Sequence, residues 1–289
     1  MKYRVLFLSA LLLLGLLTGC RQRTQAQVAA TTLPVYEFTS RLCEGTGITV
    51  TRLVTESVSC LHDYSLNVSQ VQAVESARIV ITSGAGLESF MDDLLEGKNC
   101  IDSSHGIHLL GCDDGHDHDH DHHHEADSHI WLSPSNAMIM VQNIYDGLCR
   151  EFPEHISVFT QNLTTLTAEL TALKAYGEAQ LQQLACRDMV TFHDGFAYFA
   201  DAFGLTILEA IEEESGSEAS AQELISLIQL VDSHDLPAIF IESNGSVSAA
   251  EIIARETGVS VFDLDMAMTG DSYFQAMYHN IDTIKEAMG

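Results

Sequence analysis

Residues 115–134, GHDHDHDHHHEADSHIWLSP, hold His116, His118, His120, His122, His123, His124 and His129, interleaved with Asp117, Asp119, Asp121, Glu125 and Asp127. Imidazole nitrogen and carboxylate oxygen are the donor atoms that borderline cations such as zinc prefer. No apolar periodicity runs through 115–127, so this part reads as a loop that collects cations at low affinity. The residues that follow, Ser128-His129-Ile130-Trp131-Leu132-Ser133-Pro134, are apolar and end in a helix start, with Ser133 as N-cap and Pro134 in the first turn. A solvated collecting loop thus leads into one ordered histidine.

Further donors stand where strands are expected to end. His62 follows an alternating run at 48–54, and His193 follows the apolar run 189–192. Glu242 follows 238–241, and Asp265 closes 259–264. In open parallel sheets, ligands bind beyond the carboxyl ends of strands. Three imidazoles and one carboxylate make a closed tetrahedral set that holds zinc and leaves no position for activating water. Asp265, water or Glu242 could each complete it. Cys60, two positions before His62, is a minor candidate, because an extended chain points both side chains the same way. His105, His108, His155, His234 and His279 read as packed or surface residues.

The elements that must carry these donors alternate. Strand character at 28–33, 48–54 and 78–82 is separated by helical character at 35–42 and 69–77, with a further helix at 87–95. A helix from Pro134 and a long apolar stripe over 154–184 follow, the latter stepping Ile156, Phe159, Leu163, Leu166, Leu170, Leu173. Strands at 189–192, 206–210, 238–241 and 259–264 then alternate with helices at 197–203, 221–233, 248–256 and 273–288. Strand–helix alternation of this kind predicts an α/β fold of parallel sheets with helices on both faces. We read two such lobes, 28–152 (with the histidine-rich loop at 113–128) and 186–289, joined by a long helix within 153–185.

The net charge of −28 over 289 residues excludes nucleic acid as a partner, because phosphates would be repelled. At the N-terminus, Lys2 and Arg4 precede an apolar run over 5–17, too short for a comfortable membrane span. Leu17-Thr18-Gly19-Cys20 resembles a bacterial lipobox, which implies a signal peptide at 1–19, lipidation of Cys20 and a polar tether to residue 27. The expected location is extracytoplasmic, held to the membrane by lipid. Apart from Cys20, the cysteines are Cys43, Cys60, Cys100, Cys112, Cys149 and Cys186, an even set that an oxidising compartment could pair.

Three segments together resemble the zinc-binding lipoproteins of bacterial ABC importers, the cluster A-I solute-binding proteins. They are His62-Asp63-Tyr64-Ser65-Leu66, His129-Ile130-Trp131-Leu132-Ser133-Pro134 and Phe192-His193-Asp194-Gly195-Phe196-Ala197-Tyr198-Phe199. The resemblance runs from about residue 28 to the C-terminus. It implies two α/β lobes linked by a rigid long helix, with the metal in the interlobe cleft and His62, His129, His193 and Asp265 as its ligands. It also implies a monomer that captures Zn2+ as transported ligand, carries no catalytic residues, and delivers the ion to the permease of an ABC zinc importer. Leu61 stands where many members carry glutamate, and Met266 where proline is common. A manganese or iron receptor of the same fold is the alternative, disfavoured by three nitrogen donors. A secreted zinc hydrolase would need an open coordination position, and no HExxH is present.

Overall fold

The computed structural model describes residues 28–56, 58, 61, 64–111, 126–210, 220–243 and 247–289. Cys20, Cys60, His62, Cys112 and the loop histidines His116, His118, His120, His122, His123 and His124 lie outside the described residues. Two four-stranded parallel sheets form the frame. The first half supplies β1 (Val28–Ala30), α1 (Leu33–Leu42), β2 (Val50–Arg52), α2 (Val68–Ser76), β3 (Ile79–Thr82) and β4 (Cys100–Asp102), ordered β2-β1-β3-β4 in the sheet. Then come α3 (Pro134–Glu151) and α4 (Ile156–Gln180). The second half supplies β5 (Asp188–Thr191), α5 (Ala197–Phe203), β6 (Thr206–Ala210), α6 (Ala221–Ser233), β7 (Ala238–Glu242), α7 (Ser248–Thr257), β8 (Ser260–Leu264) and α8 (Tyr273–Met288), ordered β6-β5-β7-β8.

Both faces of each sheet are covered, and the side-chain alternation of the strands shows it. Ile79 and Ile81 of β3 enter the main core while Val80 faces a smaller cluster with Val74 and Met91. Ala238 and Phe240 of β7 likewise enter the main core, whereas Ile239 joins Val190, Leu227, Val231 and Ile253 in a separate outer layer. The main core is continuous between the two sheets, through Trp131, Leu166, Leu170, Leu173, Phe199, Tyr273, Met277 and Ile281.

Helix ends follow local chemistry. Ser133 accepts from the Asn136 N–H and Pro134 opens α3. Ser220 and Glu223 form a capping box at the start of α6. Gly204 ends α5 in the left-handed region, at φ 66°, where glycine bears no Cβ penalty. The Arg187 guanidinium closes two helices at once. It donates to the carbonyls of Leu181 (2.8 Å) and Gln182 (3.0 Å) beyond α4 and of Phe203 (3.1 Å) and Gly204 (2.9 Å) at the end of α5.

Several boundaries differ from expectation. The strand expected at 28–33 ends at Ala30, since Pro34 starts a helix from Leu33. The strand expected at 48–54 shortens to Val50–Arg52. The helix expected at 87–95 is a 3-10 turn, Ser89–Met91, followed by one helical turn, Asp92–Leu95. The long helix occupies Ile156–Gln180, after a separate 3-10 turn at Pro153–His155. Strand β4 was not expected, because only its middle residue Ile101 is buried and three residues are too few to establish a period. Cys43, Cys100, Cys149 and Cys186 are free thiols. Burial pushes the Cys43 thiol up to about 12, so it is inert. Among the described residues no helix is long and apolar enough to cross a membrane.

Candidate metal centre

His129 precedes the 3-10 turn Ile130–Leu132 that leads into α3, and His193 lies two residues beyond β5. Separated by 64 positions, the two imidazoles meet with Nε2 3.4 Å from Nε2 and ring centroids 5.1 Å apart. Both side chains are buried, at 7% and 5% exposure. Each ring is backed by a carboxylate on its other nitrogen. Oδ1 of Asp127 lies 2.8 Å from Nδ1 of His129 and also accepts from the His129 N–H. Oε1 of Glu242, at the end of β7, lies 3.2 Å from Nδ1 of His193. With the carboxylates at the Nδ1 side of the rings, the two Nε2 atoms face each other.

The spacing suits a tetrahedral metal ion. Tetrahedral zinc with bonds of ~2.0–2.1 Å sets its nitrogen donors about 3.3–3.4 Å apart, and the observed separation is 3.4 Å. Gly195 makes the approach possible. A Cβ there would sit 2.7 Å from Cδ2 of His193, 3.1 Å from Cε1 of His129 and 2.5 Å from Cε of Met266. Gly195→Ala is therefore expected to weaken metal affinity several-fold by wedging the imidazoles. The check is a competitive chelator titration beside a melting curve, and unchanged affinity would show that the rings tolerate displacement.

Of the four ligands expected from sequence, the structure thus brings His129 and His193 together. His62 lies outside the described residues. Asp265 is half-buried just after β8, with its Oδ1 accepting from the Ala267 N–H at 2.7 Å. The next residue, Met266, packs beside both imidazoles, and its carbonyl accepts from the Trp131 indole N–H at 2.7 Å. Among the described residues no three His, Cys, Asp or Glu side chains gather closely enough to hold an ion. Glu242, the alternative fourth donor, has its Oε1 3.2 Å from the outer nitrogen of His193. Of the histidines read as packed or surface residues, His234 faces Asp188 at 3.6 Å, His279 faces Asp263 at 3.4 Å and His155 meets Phe159 edge to face. Asp127 was legible only as one acid among many in the loop. The signal that could have marked it is its position two residues before His129, within reach of that residue's own backbone and ring.

Known proteins share this fold. The zinc-binding lipoprotein AdcA of Streptococcus pneumoniae serotype 4 is 29% identical over 300 residues, taking in 93% of this chain and 58% of that protein. This chain thus spans little more than half the length of that relative. A crystal structure of ZnuA superposes with a TM-score of 0.78 at 28% identity, covering 91% of this chain and 99% of that one. The Zn(II)-bound ZnuA-like domain of Streptococcus pneumoniae AdcA superposes with a TM-score of 0.76 at 26% identity, covering 90% of this chain and 98% of that domain. Residues 28–287 match the family described as ZnuA, zinc-uptake complex component A, periplasmic, and the chain belongs to that family.

Proposed function

We propose that this protein captures Zn2+ outside the cytoplasmic membrane and hands it to the permease of an ABC importer. His129 and His193 supply two of the donors, His62 a third and Asp265 the fourth. The loop histidines His116, His118, His120, His122, His123 and His124 collect zinc at lower affinity, and lipid on Cys20 tethers the monomer to the membrane surface. The observation that carries the reading is the pair of carboxylate-backed imidazoles with Nε2 atoms 3.4 Å apart. Nitrogen donors at this spacing favour zinc over the harder manganese ion, which takes oxygen ligands and octahedral geometry. The role is binding and release, because a four-donor set leaves no coordination position for a reacting water.

The test is native mass spectrometry of the chain from residue 21, loaded with zinc or manganese and challenged with chelator. The same measurement is made after deletion of residues 116–124. One zinc retained by both forms is expected, with manganese lost from both. Zinc that disappears with the loop would make the loop the binding element and overturn the receptor reading.

A further inference from the structure

The backbone around Asp265 is held by groups that do not belong to the sheet it leaves. Asn280, in the middle of α8, is fully buried. Its Oδ1 accepts from the Asp265 N–H at 2.7 Å, and its Nδ2 donates to the Asp265 carbonyl at 2.7 Å. The pairing is reciprocal, like one step of a sheet ladder made by a side chain. It also fixes the amide orientation, since the flipped amide would set donor against donor and acceptor against acceptor. With the backbone pinned on both sides, the carboxylate keeps only its two side-chain torsions. The Ala267 N–H removes much of that freedom by donating to Oδ1.

The rest of the segment is fastened to the first half of the chain. The Leu33 N–H donates to the Met268 carbonyl at 3.0 Å, and Arg52 donates to the Gly270 carbonyl at 2.7 Å. Glu37 accepts from the Tyr273 N–H at 2.6 Å and from the Ser272 hydroxyl at 3.3 Å. The Tyr273 hydroxyl donates to the Trp131 carbonyl at 2.8 Å, two residues from His129. The segment is thereby tied to the body that carries His129, while His193 stands on the second sheet.

We infer that Asn280 is the positioning residue of the site: it fixes Asp265 through both backbone groups, so that the fourth donor is presented by α8 together with the first lobe. This rests on Asp265 being a zinc donor. A brace that merely adds stability would lower the melting temperature of a variant and leave the metal's coordination alone. A positioning residue changes the coordination itself.

Cobalt(II) reports the difference, because its visible absorption depends on the number and kind of donors, whereas d10 zinc is silent. Asn280→Ala, Asn280→Ser and Asp265→Ala are loaded with cobalt(II) and, separately, titrated with zinc against a competing chelator. The Ala variant is expected to bind zinc about 10–100-fold more weakly, the range found when a partner of a ligand is removed. Its cobalt spectrum should move in the same sense as that of Asp265→Ala. Asn280→Ser, whose hydroxyl is one bond too short to reach either backbone group, should fall with Ala. A parental spectrum and affinity in Asn280→Ala and Asn280→Ser, with only a lower melting temperature, would overturn the inference while leaving the ligand set intact. A parental spectrum in Asp265→Ala would remove Asp265 from the ligand set and take the inference with it.

Discussion

His193→Ala lowers zinc affinity by a factor on the order of 10²–10³, and His129→Ala does the same. Structural zinc sites bind with about 10–16 kcal/mol, so four donors share it at roughly 2.5–4 kcal/mol each. The loss should be near this full share, because both rings are buried and face each other from separate halves of the chain. Asp127→Ala should cost less, about 10–100-fold, since the ring of His129 stays but loses the acceptor that fixes its tautomer. His279→Ala provides the control: that ring is half-exposed and sits beside Asp263, away from the pair. Chelator-competition titrations of the four variants should therefore rank His193 with His129, then Asp127, with His279 unchanged. Equal effects from His279 and His193 would mean that zinc is held elsewhere.

Below pH 7 the metal-free protein should gain stability from Glu88. This carboxyl is completely buried, and desolvation pushes it up from its ordinary value of 4.5 to about 7. Oε1 accepts from the Thr31 hydroxyl at 2.6 Å and the Ser83 N–H at 2.7 Å, and Oε2 from the Gly84 N–H at 3.0 Å, across the ends of β1 and β3. These bonds favour the ionised form but do not overcome the burial. The folded state therefore holds the proton more tightly than the unfolded chain. The stabilisation is fully present below pH 4.5 and is lost as pH rises through 7. A shift of this size corresponds to about 3 kcal/mol across that window. Urea unfolding of the parent and of Glu88→Gln, both in chelator, isolates the contribution, because every other titrating group is common to both. The glutamine variant should be less stable overall, with its NH2 or oxygen mismatched to one of three donors, but flatter by about 3 kcal/mol between pH 4.5 and 7. Parallel curves would show that Glu88 is ionised in the fold throughout.

The alternation of strands and helices was legible because each parallel strand is a short apolar run and each helix end carries its own signal. Ser133 with Pro134, Ser220 with Glu223, and Gly204 are such signals, and the helices bounded by them were read closely. Strand β4 was hidden because Cys100 and Asp102 are exposed on either side of a single buried isoleucine. At the site, His129 and His193 stood out by residue type and by their place after an expected loop or strand. Their supports did not. Glu242 looked like a donor because a sequence shows that a carboxylate is near a strand end, not which nitrogen it reaches. Asn280 and Glu88 gave no signal at all, since Asn280 pairs 15 positions away, Glu88 reaches as far as Thr31, 57 positions away, and an amide or acid in a helical pattern reads as surface.

Helix α4 runs unbroken for 25 residues, about 37 Å, with Phe159, Leu166, Leu170, Leu173 and Gly177 buried along it. Gly177 lies so close to Phe203 and Ile281 that a Cβ there would overlap the Phe203 ring. A wide swing of one sheet away from the other would have to shear this row out of the main core, at the cost of each contact it breaks. Distortion confined to the loops bearing His193 and Asp265 leaves the row in place. On the proposed ligand set, departure of the ion would then be an unlatching of single donors from their anchors, with the beam between the lobes left straight.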